Sequence, residues 1–593
     1  MEPKYTLTLS FDVKQEEKQN KEILALAFDE GKDSTVLGCK LTLSSLNIKK
    51  EMYKPGYIEA ELQASPKGDG STSGISNINI DDFNSLLGTK VNLNDGFQDI
   101  AQNYIIFDFI PEYKANGDQT SLYIKLNIYS PEKILSFKKY SKCYVAKKLG
   151  ADIFKEIAKK YSDVITNPSI KHQQHLSLKD SADNQTEFIQ PYLVQYNESA
   201  LDFLTRIANR CGEFMFYEDN TWYLGLNIGK DVNSKSIENY NSLSFHQFKD
   251  RDIDTYWANN YIGEEDEEKE KEEQKKAGTL AYEGPADENL FTYPQKEASY
   301  GKSLGENYNF NDPSFYFENL TSWMKEDDAS SILATVTIDL AKNAITTGTH
   351  YEEKTKKWND DNFEPYKNST EQCGKNKEST IVSPFSNYNA IQYSNFYMSI
   401  KEREQSVERK AIHIDLGTNY QSLKLGDIIN VLNGKKYIIN KIAITCNKKA
   451  VTNGNGETEN KQYTTFDIDA IPILKIEENE QCYPLPIKDS IIKKVESQTA
   501  IVTSTNDPLG LGRIQIRYPW QEKVSGPSSP WIRIAAPFTS KDAAIKFMPQ
   551  KGDEIMVGYE YGDIERPFMI GSLASTENNG DSENNYIIKS PNQ

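Results

Sequence analysis

The most informative part of this 593-residue sequence lies toward its C-terminal end. It is read in four segments: Asn506-Asp-Pro-Leu-Gly-Leu-Gly-Arg-Ile-Gln-Ile-Arg-Tyr-Pro-Trp520, Pro530-Trp-Ile-Arg-Ile-Ala-Ala-Pro537, Met548-Pro-Gln-Lys-Gly-Asp-Glu-Ile-Met-Val-Gly-Tyr559 and Gly562-Asp-Ile-Glu-Arg-Pro-Phe-Met-Ile-Gly571. In the first segment Ile514, Ile516 and Tyr518 alternate with polar residues, the period-two pattern of a half-buried strand. Each of the other three segments also contains a short apolar run, so each predicts a strand.

A further strand is predicted near residues 495–503, which gives five short strands separated by glycine and proline turns. This number and spacing is typical of a small closed barrel such as an OB-fold. We therefore predict an OB-fold over 487–575, after a linker at 483–486 and before a C-terminal stub at 576–593.

A second informative stretch runs from Gln195 to Tyr217. Asn197 or Ser199 can cap a helix here, because a side-chain oxygen accepts a hydrogen bond from an otherwise unpaired backbone N–H. An apolar stripe follows at helical spacing, and Gly212 suits the left-handed residue that ends many helices. The pattern predicts a helix over 198–211, backed by a hairpin that turns at Asp219-Asn220.

The rest of the chain reads mainly as β-structure. Alternating segments occur within 1–190, and 408–475 contains a strand, an Asn433-Gly434 turn and a second strand. We therefore expect one long β-rich domain over 1–480, with additional helices over 144–161 and 330–341. Residues 260–380 are polar and read as an insertion on this domain, and the acidic run at 264–276 reads as a solvated segment.

Net charge limits the classes of partner. The chain carries 87 acidic and 68 basic residues, a formal net charge of −19. An acidic surface repels nucleic-acid phosphates and anionic lipids, although a local basic patch stays compatible with this charge. We therefore expect no nucleic-acid partner.

The cysteines and the N-terminus bear on where the protein is made. Six cysteines are spread thinly and none forms a C-x-x-C pair, which favours reduced thiols over a disulfide framework. The N-terminus lacks the apolar core of a signal peptide, and no stretch approaches the roughly 18 apolar residues of a membrane span. We expect assembly in the cytoplasm, with any export carried out by other means than a signal peptide.

Two of these stretches resemble one known family. The order and spacing of the segments within 506–571 resemble the OB-fold signature of the VgrG spike proteins of type VI secretion systems, which are related to tailed-phage baseplate hub and spike proteins. The segment 195–218 is similar to that family's "Q-Y-x-E-S … F-L-x-R … G … F-Y-F-E" segment in the hub domain. Leu425-Gly-Asp-Ile-Ile429 resembles the turn near the end of that domain.

The resemblance implies a mainly β fold with minor α, in which a two-barrel phage-hub-like region precedes the OB-fold. It implies a homotrimer, whose three pairs of barrel modules would match a six-fold Hcp-like tube hexamer. Baseplate subunits, a PAAR-type tip protein and secreted effectors or adaptors would be the other partners. The family usually continues into a β-helix needle, and since only 576–593 follow the OB-fold in this sequence, we expect little or no needle.

The motif residues are expected to be structural. Gly552 and Gly562 suit tight turns, Asp553 and Asp563 suit the caps of those turns, and Trp520 and Trp531 suit either interface anchors or barrel packing. The full set of residues that carry the two motifs is Glu198, Ser199, Phe203, Gly212, Asp507, Pro508, Gly512, Arg513, Pro519, Trp520, Trp531, Gly552, Asp553, Gly562, Asp563, Arg566, Pro567 and Gly571. We expect no catalytic, cofactor or metal site among them.

Two motifs could suggest chemistry. Gly301-Lys-Ser-Leu-Gly305 matches a nucleophile elbow, but polar residues stand where that motif needs a strand and a helix. His172 and His175 form H-x-x-H without a further obvious ligand, and zinc needs three or four. Both are better explained as surface features, so the sequence favours a protein that is not an enzyme.

Two alternatives stay open. The chain could serve as the hub-spike of a phage-tail-like extracellular injection particle instead of a type VI system. It could also be an OB-fold protein that binds oligosaccharide or nucleic acid, but residues 487–575 have a net charge of only +1, whereas single-strand binding favours a basic groove.

Overall fold

The computed structural model describes most of the chain outside residues 259–410. The described residues are 3–15, 18–28, 30–66, 78–116, 119–171, 177–179, 185–187, 189–210, 213–226, 234–237, 239–245, 253–258, 334–339, 344–352, 357–361, 378–383, 411–419, 421–431, 434–452, 458–476, 479–482, 484, 493–507, 512–521, 528–539, 544–559, 562, 564–565 and 567–574.

The protein is mainly β, as predicted. The strands of the first 258 residues are β1 Thr6–Gln15, β2 Lys18–Ala27, β3 Lys32–Asp33, β4 Cys39–Glu51, β5 Tyr57–Pro66, β6 Lys90–Asn94, β7 Asp99–Asn116, β8 Gln119–Tyr129, β9 Lys139–Lys148, β10 Pro168–Ile170, β11 Ser177–Lys179, β12 Gln185–Glu187, β13 Ile189–Ser199, β14 Met215–Glu218, β15 Thr221–Leu224, β16 Lys235–Ser236, β17 Ser242–Phe245 and β18 Ile253–Ala258. The remaining strands are β19 Ala334–Asp339, β20 Ala344–Glu352, β21 Lys357–Asp361, β22 Glu378–Ser383, β23 Ile412–Gly417, β24 Ile428–Val431, β25 Lys435–Thr452, β26 Thr458–Pro472, β27 Leu474–Ile476, β28 Asn479–Gln481, β29 Gln498–Ser504, β30 Gln515–Arg517, β31 Phe538–Thr539, β32 Ala544–Ile545, β33 Glu554–Tyr559 and β34 Pro567–Ser572.

The helical segments are few and short. Two are α-helices, α1 at Lys155–Lys160 and α2 at Ala200–Arg210. Two 3-10 segments lie at Ile80–Leu86 and Pro131–Ser136, and a π-helical segment at Leu149–Phe154 leads directly into α1.

One 14-stranded sheet joins the two ends of the predicted N-terminal domain. Its main path runs β17-β23-β26-β25-β4-β5-β8-β7-β6-β1-β2. The junction is the antiparallel pair of β25 with β4, where Ile444 lies opposite Ile48. Because inward-facing residues alternate along each strand, side chains such as Ile58 and Ile128 meet across neighbouring strands and form one large core.

The OB-fold is smaller and less regular. It has a four-stranded sheet in the order β30-β29-β33-β34 and a separate hairpin of β31 with β32. The predicted strand at 530–535 enters through two isolated bridges, Ile514 with Ile532 and Ile534 with Met569. The mainly β class with an OB-fold is thus confirmed, whereas the domain boundaries and the division of 1–480 into two barrels stay predictions.

Two predicted helices are wrong in whole or in part. Residues 144–148 belong to strand β9, and the helical backbone begins only at Leu149. The apolar positions 145, 149, 153 and 157 do follow helical spacing, but tertiary pairing with β13 overrides it in the first turn. Residues 334–339 form strand β19, since the run Thr335–Ile338 alternates two threonines with Val336 and Ile338, and such β-branched side chains favour a strand.

The predicted polar insertion contains regular structure. Strands β18 to β22 form a five-stranded sheet in the order β21-β20-β19-β18-β22. The acidic run at 264–276, the Gly301–Gly305 motif, His172 and His175 lie outside the described residues.

The predictions around 198–226 are confirmed more closely. Helix α2 begins two residues later than expected, and β14 and β15 form the expected antiparallel hairpin. Its turn residues Asp219 and Asn220 both have positive φ, at 48° and 56°, which short polar side chains tolerate best.

Candidate functional site: the joint between the N-terminal region and the OB-fold

Strands β9 and β13 form a two-stranded ribbon that contributes to two cores at once. Leu193 lies opposite Tyr144, and both side chains belong to the large N-terminal core. The neighbouring pairs, Tyr192 with Val145 and Val194 with Cys143, point to the other face. These four side chains are buried in the core of the OB-fold. We call this contact of the ribbon and helix α2 with the OB-fold the joint.

Helix α2 starts directly after β13 and directs a charged residue into the joint. Ser199 caps the helix, because its hydroxyl oxygen accepts a hydrogen bond from the backbone N–H of Asp202 at 3.0 Å and its O–H donates to the Asp202 carboxylate at 2.7 Å. Phe203 is fully buried and stacks on Tyr144 at a ring-centroid distance of 5.4 Å. Arg206 lies one turn of the helix beyond Phe203 on the buried side.

Arg206 links both motif stretches through two buried carboxylates. Its Nη2 donates to Glu198 Oε1 at 2.7 Å and to the carbonyl oxygen of Val194 at 2.9 Å. Its Nη1 lies 3.6 Å from Oε1 of Glu565, and the same oxygen accepts a hydrogen bond from the backbone N–H of Val194 at 3.1 Å. All three charged side chains are at most 7% exposed. A buried charge is costly unless it is paired, so this triad ties the ribbon to the OB-fold in one arrangement.

A buried polar cluster lies beside the triad. The thiol of Cys143 and the hydroxyl of Tyr192 are 3.3 Å apart, and the rings of Tyr518 and Tyr559 from the OB-fold stack at 6.5 Å. Burial raises the pKa of the Cys143 thiol to about 12. It also raises the pKa of the Tyr192 and Tyr518 phenols well above their usual range. These groups therefore stay protonated and do not supply a nucleophile.

Trp520 closes one edge of the joint. Its ring lies 5.3 Å from that of Tyr196 in the ribbon, stacks on Tyr518 at 4.8 Å and donates from Nε1 to Gln498 at 2.8 Å. Trp520 is thus an anchor within the chain, and Trp531 is buried in the OB-fold. Beside Tyr196 lies an open cleft of about 510 Å³, whose other lining residues are Lys494, Val495, Glu496, Ser497 and Gln498.

Several motif residues of the OB-fold lie in turns or in a buried ion pair. Arg513 forms a bidentate pair with Asp507 at 2.6 and 2.9 Å, and both side chains are almost fully buried. Gly512 has φ of 67°, and a Cβ there would lie 2.0 Å from the Lys546 ammonium. The carboxylate of Asp553 accepts from the backbone N–H of Gln550 at 2.7 Å, which caps the turn that contains Gly552.

Several motif residues do not contribute to the joint. Gly562 has a positive φ of 75° in a turn, Pro567 and Gly571 lie in β34, and Pro519 is exposed. Gly212, Pro508, Asp563 and Arg566 lie outside the described residues.

Sequence reasoning missed the residues that make the joint. Glu198 was selected only as part of a motif, and Arg206, Glu565, Tyr192 and Cys143 received no role. Two signals were available: Arg206 stands beside the apolar stripe of a short helix, and Glu565 directly follows Ile564, close to the apolar run at 567–570. A charge in such a place usually has a buried partner.

The N-terminal region has buried charges of its own. Lys50 and Glu218 form an ion pair at 2.5 Å with both side chains 5% exposed, and Glu218 also accepts from the backbone N–H of Leu425 at 3.2 Å. Leu425 begins the predicted family turn, where Gly426 has φ of 81°. Glu132 is buried in the 3-10 segment after β8, and burial raises the pKa of its carboxyl group to about 7.

The geometry is that of a structural joint. Within the described part of the chain, no group of three His, Cys, Asp or Glu side chains converges as a metal site would require. Among the described helices, none is long and apolar enough to cross a membrane.

The comparison with known families agrees with this description. Residues 498–573 match the family described as the type VI secretion system/phage-baseplate injector OB domain. The predicted resemblance to VgrG-type spike proteins is therefore confirmed over the OB-fold. Among curated proteins, none matches the chain significantly.

The solved structures that match this chain share little sequence with it. One is the c3393 protein of E. coli, described as a component of the type VI secretion system with structural similarity to T4 bacteriophage tail proteins gp27 and gp5; the identity is 10%, the TM-score 0.44, and the match covers 92% of this chain and 99% of that one. A chain of the Francisella PdpA-VgrG complex matches at 10% identity and a TM-score of 0.44, over 97% of this chain and 79% of that one. Prophage tail protein gp18 of Listeria monocytogenes matches at 7% identity and a TM-score of 0.32, over 78% and 94%.

Proposed function

We propose that this chain is the hub-and-spike subunit of a contractile injection machine, of the VgrG type. The observation that carries the proposal is an injector OB domain at 498–573 in the same chain as a long β-rich region, with the buried joint between them. A spike of this class acts by position and shape and needs no catalytic group.

The construction of the joint supports this role. A subunit that is pushed through a target envelope must keep its parts aligned under load. The ribbon of β9 and β13 is buried on both faces, and the triad of Arg206 with Glu198 and Glu565 specifies one register. A shared core with a buried ion triad resists hinge motion better than the polar interface that is usual between domains of one chain.

The partners follow from the proposed role. The chain would form a homotrimer that caps an Hcp-like tube, sits among baseplate subunits and carries a PAAR-type tip and secreted effectors. It would be assembled in the bacterial cytoplasm and leave through the machine itself. The complex of PdpA with VgrG from Francisella gives one instance of a VgrG protein bound to another protein.

The first test is the solution mass, by light scattering after size exclusion. A mass near three times 67.5 kDa supports the trimeric spike. A monomer, together with failure to co-purify with a tube protein of the same system, would reject it. A second test is the variant Arg206→Met, which disrupts the joint and which we expect to lower the yield of the correctly assembled trimer.

A baseplate hub of a phage-tail-like particle is the second candidate, because the matching family covers both kinds of injector. Electron microscopy of particles released by the source cells distinguishes the two. Free sheathed particles that contain this chain favour the second candidate, and cell-associated machines favour the first.

A further inference from the structure

A strongly basic surface interrupts this acidic chain. Residues 133–160 contain nine lysines and only two acidic residues, a formal net charge of +7. The rest of the chain therefore carries −26. The segment runs from the 3-10 segment after β8, along β9, to the end of α1.

The structure gathers part of this charge around two tyrosines. The ammonium groups of Lys160 and Lys138 lie 4.0 and 5.2 Å from the ring centre of Tyr140, and the Tyr140 and Tyr161 hydroxyls are 3.0 Å apart. A few residues earlier in the sequence, the ammonium of Lys133 lies 5.9 Å from the ring centre of Phe137, which is 62% exposed. We call Lys133, Phe137, Lys138, Tyr140, Lys160 and Tyr161 the lysine–tyrosine surface.

The fold does not account for these charges. Lys159 and Lys160 stabilise the C-terminal end of α1. Among the described residues, the one carboxylate paired with a lysine of 133–160 is Glu156, which pairs with Lys142. Lys138 and Lys139 are exposed, and neither helix dipole nor ion pair explains them. Clustered like charges repel each other, so their concentration here destabilises the chain. An acidic partner would relieve this repulsion.

We propose that the lysine–tyrosine surface binds an acidic polypeptide segment of a partner protein. A short carboxylate-rich segment carries the opposite charge and is small enough to contact only the basic surface. A long polyanion such as nucleic acid, or an anionic membrane, extends past the patch and meets the acidic remainder of the chain. The half-buried Tyr140 and Tyr161 rings and the exposed Phe137 ring add apolar contact area of the kind that is enriched in protein interfaces.

The electrostatics of Tyr140 agree with an anion-seeking surface. The hydrogen bond from Tyr161 and the nearby Lys160 and Lys138 ammonium groups lower the pKa of the Tyr140 phenol from its usual value. The two ammonium groups at 4.0 and 5.2 Å from the ring centre make the local potential positive even though the whole chain is acidic.

The test measures the binding of a fluorescent decaglutamate peptide to the full chain, by fluorescence anisotropy at low salt. We expect the double variant Lys138→Glu/Lys160→Glu to weaken binding by about tenfold or more, and Lys138→Gln/Lys160→Gln to give an intermediate loss, because charge is removed without being reversed. The matched control Lys49→Glu/Lys90→Glu has the same net charge at two other exposed positions and should keep affinity within about twofold of the original chain.

Three results would overturn the proposal: no binding of the peptide by the original chain, equal losses in both charge-reversed variants, or tighter binding of oligothymidylate or phosphatidylserine vesicles than of the peptide. Circular dichroism of each variant checks that the fold is retained. The inference does not rest on the proposed function, since a monomeric chain that binds the peptide supports it and a trimer that does not bind contradicts it.

Discussion

The N-terminal region and the OB-fold are stabilised in different ways. The N-terminal region has one large core beneath a 14-stranded sheet, and its buried pair Lys50–Glu218 lies entirely within it. The OB-fold has a four-stranded sheet and a small core, and four of the side chains in that core come from the ribbon β9–β13. We therefore expect the stability of the OB-fold to depend on the N-terminal region more than the reverse.

The difference follows from size. A small domain buries a lower fraction of its surface than a large one, so its own core leaves little surplus stability. Docking on the ribbon adds apolar burial and a specific ion triad to the OB-fold. The same contact also fixes the orientation of the OB-fold. The interactions that stabilise the OB-fold are therefore the ones that keep it aligned for the proposed function.

The largest expected effect comes from Arg206→Met. This change leaves Glu198 and Glu565 buried without their counter-charge, at a cost of about 3–5 kcal/mol. We expect a lower melting temperature and fast tryptic cleavage near Lys488, at the start of the predicted OB-fold. The measurement is a thermal melt with limited proteolysis.

Lys50→Met is the matched control for the joint. It also breaks a buried pair, with side chains 5% exposed, but inside the N-terminal core. It should destabilise the protein without selective cleavage near Lys488. Equal cleavage in both variants would contradict the dependence of the OB-fold on the joint. Adding Glu198→Gln and Glu565→Gln to Arg206→Met should restore much of the lost stability, because no uncompensated buried charge then remains.

The second prediction concerns the pH dependence of stability in the N-terminal region. Burial raises the pKa of Glu132 from 4.5 to about 7, so this carboxyl takes up a proton on folding. Its contribution to stability is therefore fully present below pH 4.5 and is lost as the pH rises toward 7, by up to about 3 kcal/mol. In Glu132→Gln, the fall in melting temperature between pH 5 and pH 8 should be smaller. An unchanged fall would mean that Glu132 does not titrate in this window.

The third test separates the two faces of the ribbon. Val194→Ala removes two methyl groups from the OB-fold core, with an expected loss of about 2 kcal/mol. Leu193→Ala removes side-chain volume from the N-terminal core instead. Hydrogen exchange should show faster exchange in β29 and β33 for the first variant and in β4 and β25 for the second. The same pattern in both variants would show that the two cores unfold as one.

The smallest effect is expected at the cap of α2. Ser199→Ala removes the acceptor for the Asp202 N–H and should cost about 1 kcal/mol. Ser199→Asp keeps an acceptor and should restore most of it. Because α2 carries Arg206, we also expect Ser199→Ala to increase tryptic cleavage near Lys488 slightly. If the variant is as resistant to trypsin as the original chain, the triad tolerates fraying at the start of the helix.

Much of the fold could be predicted from local patterns. The alternation of Ile514, Ile516 and Tyr518 predicted a buried strand face, and all three side chains are fully buried. Arg513 was expected on the opposite face, and it too is buried, because Asp507 supplies a bidentate partner that no local pattern specifies. The helix predicted over 144–161 failed at its start, where pairing with a strand some 45 residues away in sequence decides the backbone.

Local sequence was enough to predict the β class, the OB-fold, the capped helix α2 and its hairpin, because these depend on periodicity, turn residues and caps within a short stretch. The folded chain was needed to see that β4 pairs with β25, that alternate residues of one ribbon enter two different cores, and that Arg206 lies between Glu198 and Glu565. Those contacts join residues up to about 400 positions apart. Long-range pairing is chosen by the packing of the complete chain, and no local pattern records it.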